Sequence, residues 1–129
     1  MRELKELKRA IWERLRELNL PVFDTAIPLG QDPPLIRFYL IGMDWLSSFQ
    51  SKHFFSRTGI TVDAVSKSNV STEAENIFAN IQDKLEGFAF ETTTARYRMQ
   101  LSTVRKVYDQ EAGLWYVSGD FILHVSRKT

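Results

Sequence analysis

The sequence predicts an α+β domain: a mostly antiparallel sheet with two helices packed on one face, in the order α-β-β-β-α-β-β. Three observations carry that expectation. Residues 2–18 hold an apolar stripe at helical spacing. Residues 60–87 read as a strand, a polar turn and an amphipathic helix. Residues 95–126 read as two alternating strands joined by a polar turn.

In the first helix Leu4, Leu7, Ile11, Leu15 and Leu18 make the stripe. Arg, Lys and Glu fill the rest and read as a solvated face. Glu6–Arg9 and Glu13–Arg16 are spaced as i,i+3 pairs, and Arg9–Glu13 as an i,i+4 pair. Asn19-Leu20-Pro21 ends the helix, because proline disfavours helical geometry in the residue before it. Pro21–Ala26 is a short strand and Ile27–Pro34 a proline-rich loop. Leu35–Gly42 is almost continuously apolar, as a strand covered on both faces would be. Arg37 interrupts it, and pairing or snorkelling at the rim of the sheet accounts for that charge.

Ile60, Val62 and Ala64 share one face of the next strand. Thr72-Glu-Ala-Glu75 then reads as a capping box, with Thr72 and Glu75 satisfying each other's backbone N–H groups. Ala74, Ile77, Phe78, Ile81 and Leu85 follow at helical spacing, and Gly87 supplies the left-handed stop. Phe88–Thr94 is transitional. In the closing hairpin Tyr97, Met99 and Leu101 alternate with Arg96, Arg98 and Gln100; Trp115, Val117, Phe121, Leu123 and Val125 form the facing set. Gly119 interrupts that set and reads as a bulge. Arg96, Arg98, Thr61 and Asp63 give the sheet a partly polar second face.

The length suits a single domain, residues 1–129, with a core that needs no staples. Without cysteine there is no disulfide, thiolate metal site or cysteine nucleophile. No stretch approaches the ~18 apolar residues of a membrane span, so the expected setting is soluble, with no membrane partner. Net charge is +1, divided as +2 over residues 1–20, −4 over 21–93 and +3 over 94–129. That is no concentrated basic face for nucleic acid. Neither His53 nor His124 has metal-ligand spacing, no serine sits in a nucleophile elbow, and no glycine-rich phosphate loop occurs. No cofactor is implied, and an enzyme is not expected; that reading would need His53, Asp63 and Arg37 to converge on one cavity.

Met43–Phe55 is unusual for a connection between strands, because Trp45, Leu46, Phe49, Phe54 and Phe55 crowd into it. Either the strands run longer and bury these rings, or the hairpin projects and docks on another chain, aromatic residues being the usual interface anchors. On the second reading the chain is a small α+β protein-binding adaptor that grips another protein through this hairpin.

The element order, with VDAVSKS leading into STEAENIFANIQDKLEG, resembles the tail terminator and head–tail joining proteins of long-tailed bacteriophages. The likeness extends to PVF after the first helix, the proline-led strand PPLIRFYLIG, DAVS, and the closing strand VSGDFILHV. Ala64 and Val65 stand where that family often has a bulkier aromatic. The resemblance implies a non-enzymatic virion protein assembled in the host cytoplasm and located at the tail–head junction. It implies a homo-oligomeric ring, typically a hexamer, that stops the tail tube protein from polymerising and meets the head connector. DNA would pass through the lumen without being read. The aromatic hairpin would then contact a neighbouring subunit or the tail tube, and Arg96 and Arg98 would lie on the lumen or an exposed sheet face.

Overall fold

The structure, a computed structural model, describes residues 2–43 and 55–128. In chain order its elements are α1 (Arg2–Arg16), β1 (Val22–Asp24), β2 (Leu35–Met43), β3 (Phe55–Ser66), α2 (Thr72–Leu85), β4 (Ala89–Glu91), β5 (Ala95–Asp109) and β6 (Leu114–Arg127). The strands form one six-stranded sheet, ordered β1-β2-β3-β6-β5-β4. The α+β class and both helices are as the sequence predicts.

Two features of the sheet differ from expectation. The segment after α2 is not merely transitional. Gly87 takes the left-handed conformation (φ 76°) and its N–H donates to the Met99 carbonyl at 2.9 Å. That turn aims the chain along β5, and β4 pairs antiparallel through Ala89↔Arg98 and Glu91↔Arg96. Phe90 stacks against both Phe88 and Tyr97, with ring centroids 5.2 and 5.0 Å away. Second, β1 pairs parallel with β2, the one parallel pair in a sheet that is otherwise antiparallel among the described residues. The loop from Thr25 to Pro34 is long enough to carry the chain back to the starting end of β1, which a tight hairpin would not do.

The core lies between the helices and one face of the sheet. Leu7, Ile11 and Leu15 from α1 and Ala74, Phe78, Ile81 and Leu85 from α2 close over Phe38, Ile60, Val62, Met99, Phe121 and Leu123. Helix α1 ends at Arg16, two residues earlier than expected. Leu18 and Asn19 N–H groups bond the carbonyls of Leu15 and Arg16, and Asn19 turns left-handed (φ 60°). Of the pairs expected along α1, Arg9–Glu13 forms at 3.0 Å. Glu6 instead accepts from Thr93, and the Arg16 guanidinium lies over the Trp12 ring, 4.6 Å from its centroid.

The start of α2 is also corrected. Its N-cap is Ser71, with no side-chain capping bond, and Thr72 is the first helical residue. The Glu75 carboxylate takes the Ser71 hydroxyl at 2.6 Å and the Lys106 ammonium at 2.9 Å. A cation on β5 therefore claims the side chain that a capping box would use.

Gly119 marks no bulge; it is in register with Val62 on one side and Val104 on the other. The bulge lies opposite, in β5 between Leu101 and Thr103. Gly119 instead makes room for α2: a Cβ there would stand 2.3 Å from Cζ of Phe78. The missing side chain lets the Phe78 ring seat on the sheet.

The charged side of α1 is not wholly solvated. Glu3 is 9% exposed and accepts the hydroxyls of Thr92, Thr94 (2.5 Å) and Tyr97 (2.6 Å). This fastens the first turn of α1 to the start of β5 across more than eighty residues of sequence. A carboxylate meets its desolvation here with three hydroxyl donors. Glu3→Ala leaves two buried hydroxyls without their acceptor and is expected to cost about 2 kcal/mol in denaturant unfolding, with Glu3→Gln costing less. Burial, then the Glu3 bond, push the Tyr97 phenol well above its ordinary value. A raised acid contributes stability below its unfolded value of about 10, and that stability is lost as pH rises further. Unfolding between about pH 9 and 11 is therefore expected to show a loss of stability that Tyr97→Phe abolishes.

Candidate interaction surface

Strand alternation turns a second set of side chains away from the helices. On β2 these are Leu35, Arg37, Tyr39 and Ile41; on β3, Thr61, Asp63 and Val65; on β6, Tyr116, Ser118, Asp120, Ile122 and His124. Strand β5 adds Arg96, Arg98 and Gln100, and, beyond its bulge, Thr103, Arg105 and Val107.

The centre of this face is closed although neither helix covers it. Leu35, Thr61, Asp63 and Val65 are each at most 1% exposed. The register places Asp63 opposite Arg37. The Arg37 guanidinium donates to Asp63 Oδ2 from Nε at 3.0 Å and Nη2 at 2.5 Å. It also lies over the rings of Tyr39 and Tyr116, 5.4 and 5.9 Å from their centroids. Among the described residues Asp63 Oδ1 is buried with no hydrogen-bond partner, so Arg37 carries most of the compensation for that charge. Of the two readings of Arg37 from sequence, pairing holds.

A second cluster centres on Asp120, which accepts from Thr61 (2.8 Å), Thr103 (2.8 Å) and Arg105 (2.6 Å). Burial works against its charged form, yet bonds from Arg105, Thr61 and Thr103 outweigh this and hold the carboxyl below its usual range. The same ion pair holds the Arg105 guanidinium above its own. The sign for stability is that of a depressed acid: the contribution is complete above the unfolded value and disappears as pH falls through the folded one.

Arg96 and Arg98 are exposed on this face, and Arg96 pairs with Glu91 at 3.0 Å. His124 meets Gln100 at 2.7 Å, a surface pairing rather than a ligand set. The aromatic segment falls differently: Trp45, Leu46, Phe49 and Phe54, with His53, lie outside the described residues, and Phe55 is described only as the first residue of β3. Arg37 and Asp63 do come together, as an ion pair in the sheet. Among the described residues no group of three or more His, Cys, Asp or Glu side chains could hold a metal ion. No helix there is long and apolar enough to cross a membrane.

What sequence reasoning missed is the cross-strand matching: Arg37 with Asp63, and Thr61 and Arg105 with Asp120. The signal was available only as opposite charges on one strand face, and their pairing depends on register.

No protein-family model matches the chain, and no curated protein sequence does. Among solved structures it is similar to a chain of the "Virion of native gene transfer agent (GTA) particle". The two superpose with a TM-score of 0.76 over 95% of this chain and 96% of that one, at 13% identity. The likeness is therefore one of fold, and it runs through the whole chain.

Proposed function

We propose that this protein is a structural component of a phage-like virion. In the finer reading it is a ring subunit that terminates the tail tube and joins it to the head connector. The observation that carries the virion reading is the match in fold, over 95% of this chain, to a virion chain. The sequence resemblance to tail terminator and head–tail joining proteins points the same way. The protein acts by contact and performs no chemistry. It is assembled in the host cytoplasm and resides at the tail–head junction.

A ring needs one patch to fit a different patch on the next copy, repeated until the circle closes. If such a ring surrounds DNA in transit, paired arginines suit its wall. Arg37, Arg96 and Arg105 each have a carboxylate within 3.0 Å, which weakens the phosphate attraction that would hold DNA fast.

The test is to produce particles with and without the protein and measure tail length and head attachment by electron microscopy. Overlong tubes and unattached heads in its absence, corrected when purified protein is added, are the expected result. Normal, joined tails in its absence would overturn the reading and favour an adaptor role.

A further inference from the structure

Each end strand of the sheet is three residues long and covers only part of its long neighbour. Strand β4 pairs with β5 from Arg96 to Arg98, and Gly87 and Phe88 extend that pairing to Met99. At Leu101 the Glu86 carboxylate stands in for a strand, accepting the backbone N–H at 2.5 Å. Beyond this point β5 runs on to Asp109 with only β6 beside it among the described residues. Lys128 N–H donates to the Thr94 carbonyl, and Met99 bonds outward, so the ladder's phase is known on both sides. Carried across the bulge, it turns the backbone groups of Thr103, Arg105 and Val107 toward β6 and those of Val104, Lys106 and Tyr108 away from the sheet. Among the described residues no hydrogen bond reaches these outward groups.

This edge exposes apolar side chains among its charges: Val104 is 50% exposed, Val107 52% and Tyr108 42%, while Arg105 is paired with Asp120. Lysine commonly guards an edge strand, but the Lys106 side chain is folded onto Glu75 at 2.9 Å.

The opposite side of the sheet has a matching gap. Strand β1 pairs with β2 only from Ile36 to Phe38, leaving Tyr39–Met43 uncovered among the described residues. That stretch carries no charge, and Ile41 is 57% exposed. The two open edges lie at opposite ends of the sheet as well as on opposite sides. Tyr39–Met43 adjoins the start of β3, which pairs with the end of β6, whereas Thr103–Asp109 adjoins the β5–β6 turn.

We propose that the free edge of β5 takes the free edge of β2 from a second copy of this chain, extending the sheet from subunit to subunit. The inference rests on the ring reading and names its subunit contact. A diagonal placement of donor and acceptor edges is what a closed ring of tilted, staggered strands requires. Pairing β5 with itself about its midpoint is less favourable, because it sets Lys106 against Lys106 or Arg105 against Arg105.

The experiment exploits the absence of cysteine. Ile41→Cys and Val107→Cys are introduced together, and the full chain is oxidised at concentrations and on tail tubes where the wild type assembles. Within one copy these positions are three strands apart, which sideways alone is about 14 Å, and they lie at opposite ends of the sheet as well, too far for a disulfide. The expected product is a ladder of covalent multimers ending at the ring. In parallel, Lys106→Pro removes an outward N–H while sparing the β5–β6 ladder, and is expected to weaken assembly about tenfold or more. Lys106→Ala, which loses only the side chain, should assemble nearly normally. A wild type that forms rings while the double-cysteine chain gives no multimers and Lys106→Pro assembles unchanged would overturn the edge contact and leave the ring reading standing. A wild type that stays monomeric alone and on tail tubes would remove the ring reading, and the contact with it.

Discussion

Arg37→Ala is expected to lower stability by about 3 kcal/mol and the melting temperature by roughly 10 °C. The reason is what it leaves behind. Asp63 has a side chain only 2% exposed, one of its oxygens already lacks a partner, and the other depends on the guanidinium. Removing Arg37 strands a carboxylate in a closed sheet face, and the rings of Tyr39 and Tyr116 cannot solvate it. The pair itself is not thereby strongly stabilising. Replacing both members with apolar residues of similar size, Arg37→Met with Asp63→Leu, should recover most of the loss. A double-mutant cycle read by urea unfolding checks this. Equal, additive losses in the two single variants would show that the charges do not depend on each other.

Gly119→Ala is the second large effect, expected at about 3 kcal/mol, the upper end for overpacking a filled core. The new Cβ would meet Cζ and Cε1 of Phe78 at 2.3 and 2.6 Å. Phe78 is 4% exposed and held in the main core cluster, so the ring cannot swing aside cheaply. Combining Gly119→Ala with Phe78→Leu should cost less than the sum of the two single changes, because the smaller side chain vacates the clash. Calorimetric melting of the four proteins measures the coupling. By contrast, a Cβ at Gly113, in the β5–β6 turn, meets nothing within 4 Å, so any cost there comes from its left-handed backbone (φ 68°) alone.

These two sites show how far the sequence could be read. Both helices, the long strands β2, β3, β5 and β6 and the closing hairpin follow from periodicity, because a buried stripe must repeat at 3.6 or 2 residues. Short edge strands carry too few residues to show a period, so β4 was invisible and the parallel placement of β1 was not foreseen. Gly119 was noticed as an irregularity, but its cause sits forty-one positions earlier, on a helix. Glu3 was indistinguishable from its neighbours in a charged run, since nothing local marks the hydroxyls that surround it.

The candidate surface divides in the same way. That Arg96, Arg98, Thr61 and Asp63 belong to a second sheet face was legible from alternation. That Thr61 and Asp63 are buried there, while Arg96 and Arg98 are exposed, was not. Burial on an uncovered face depends on how the sheet curls and on which residues stand opposite, and both arise from strand order and register.

By itself, then, the sequence determined the class, the two helices, the faces of the long strands and the lack of a recognisable catalytic motif. These are consequences of local spacing and composition, which each segment carries alone. Tertiary structure decided the pairings: Arg37 with Asp63, Glu3 with Tyr97, Phe78 over Gly119, and the short edge strands that leave part of β2 and β5 open. Such matches join residues distant in the chain, and only the assembled sheet sets the distances that let them interact.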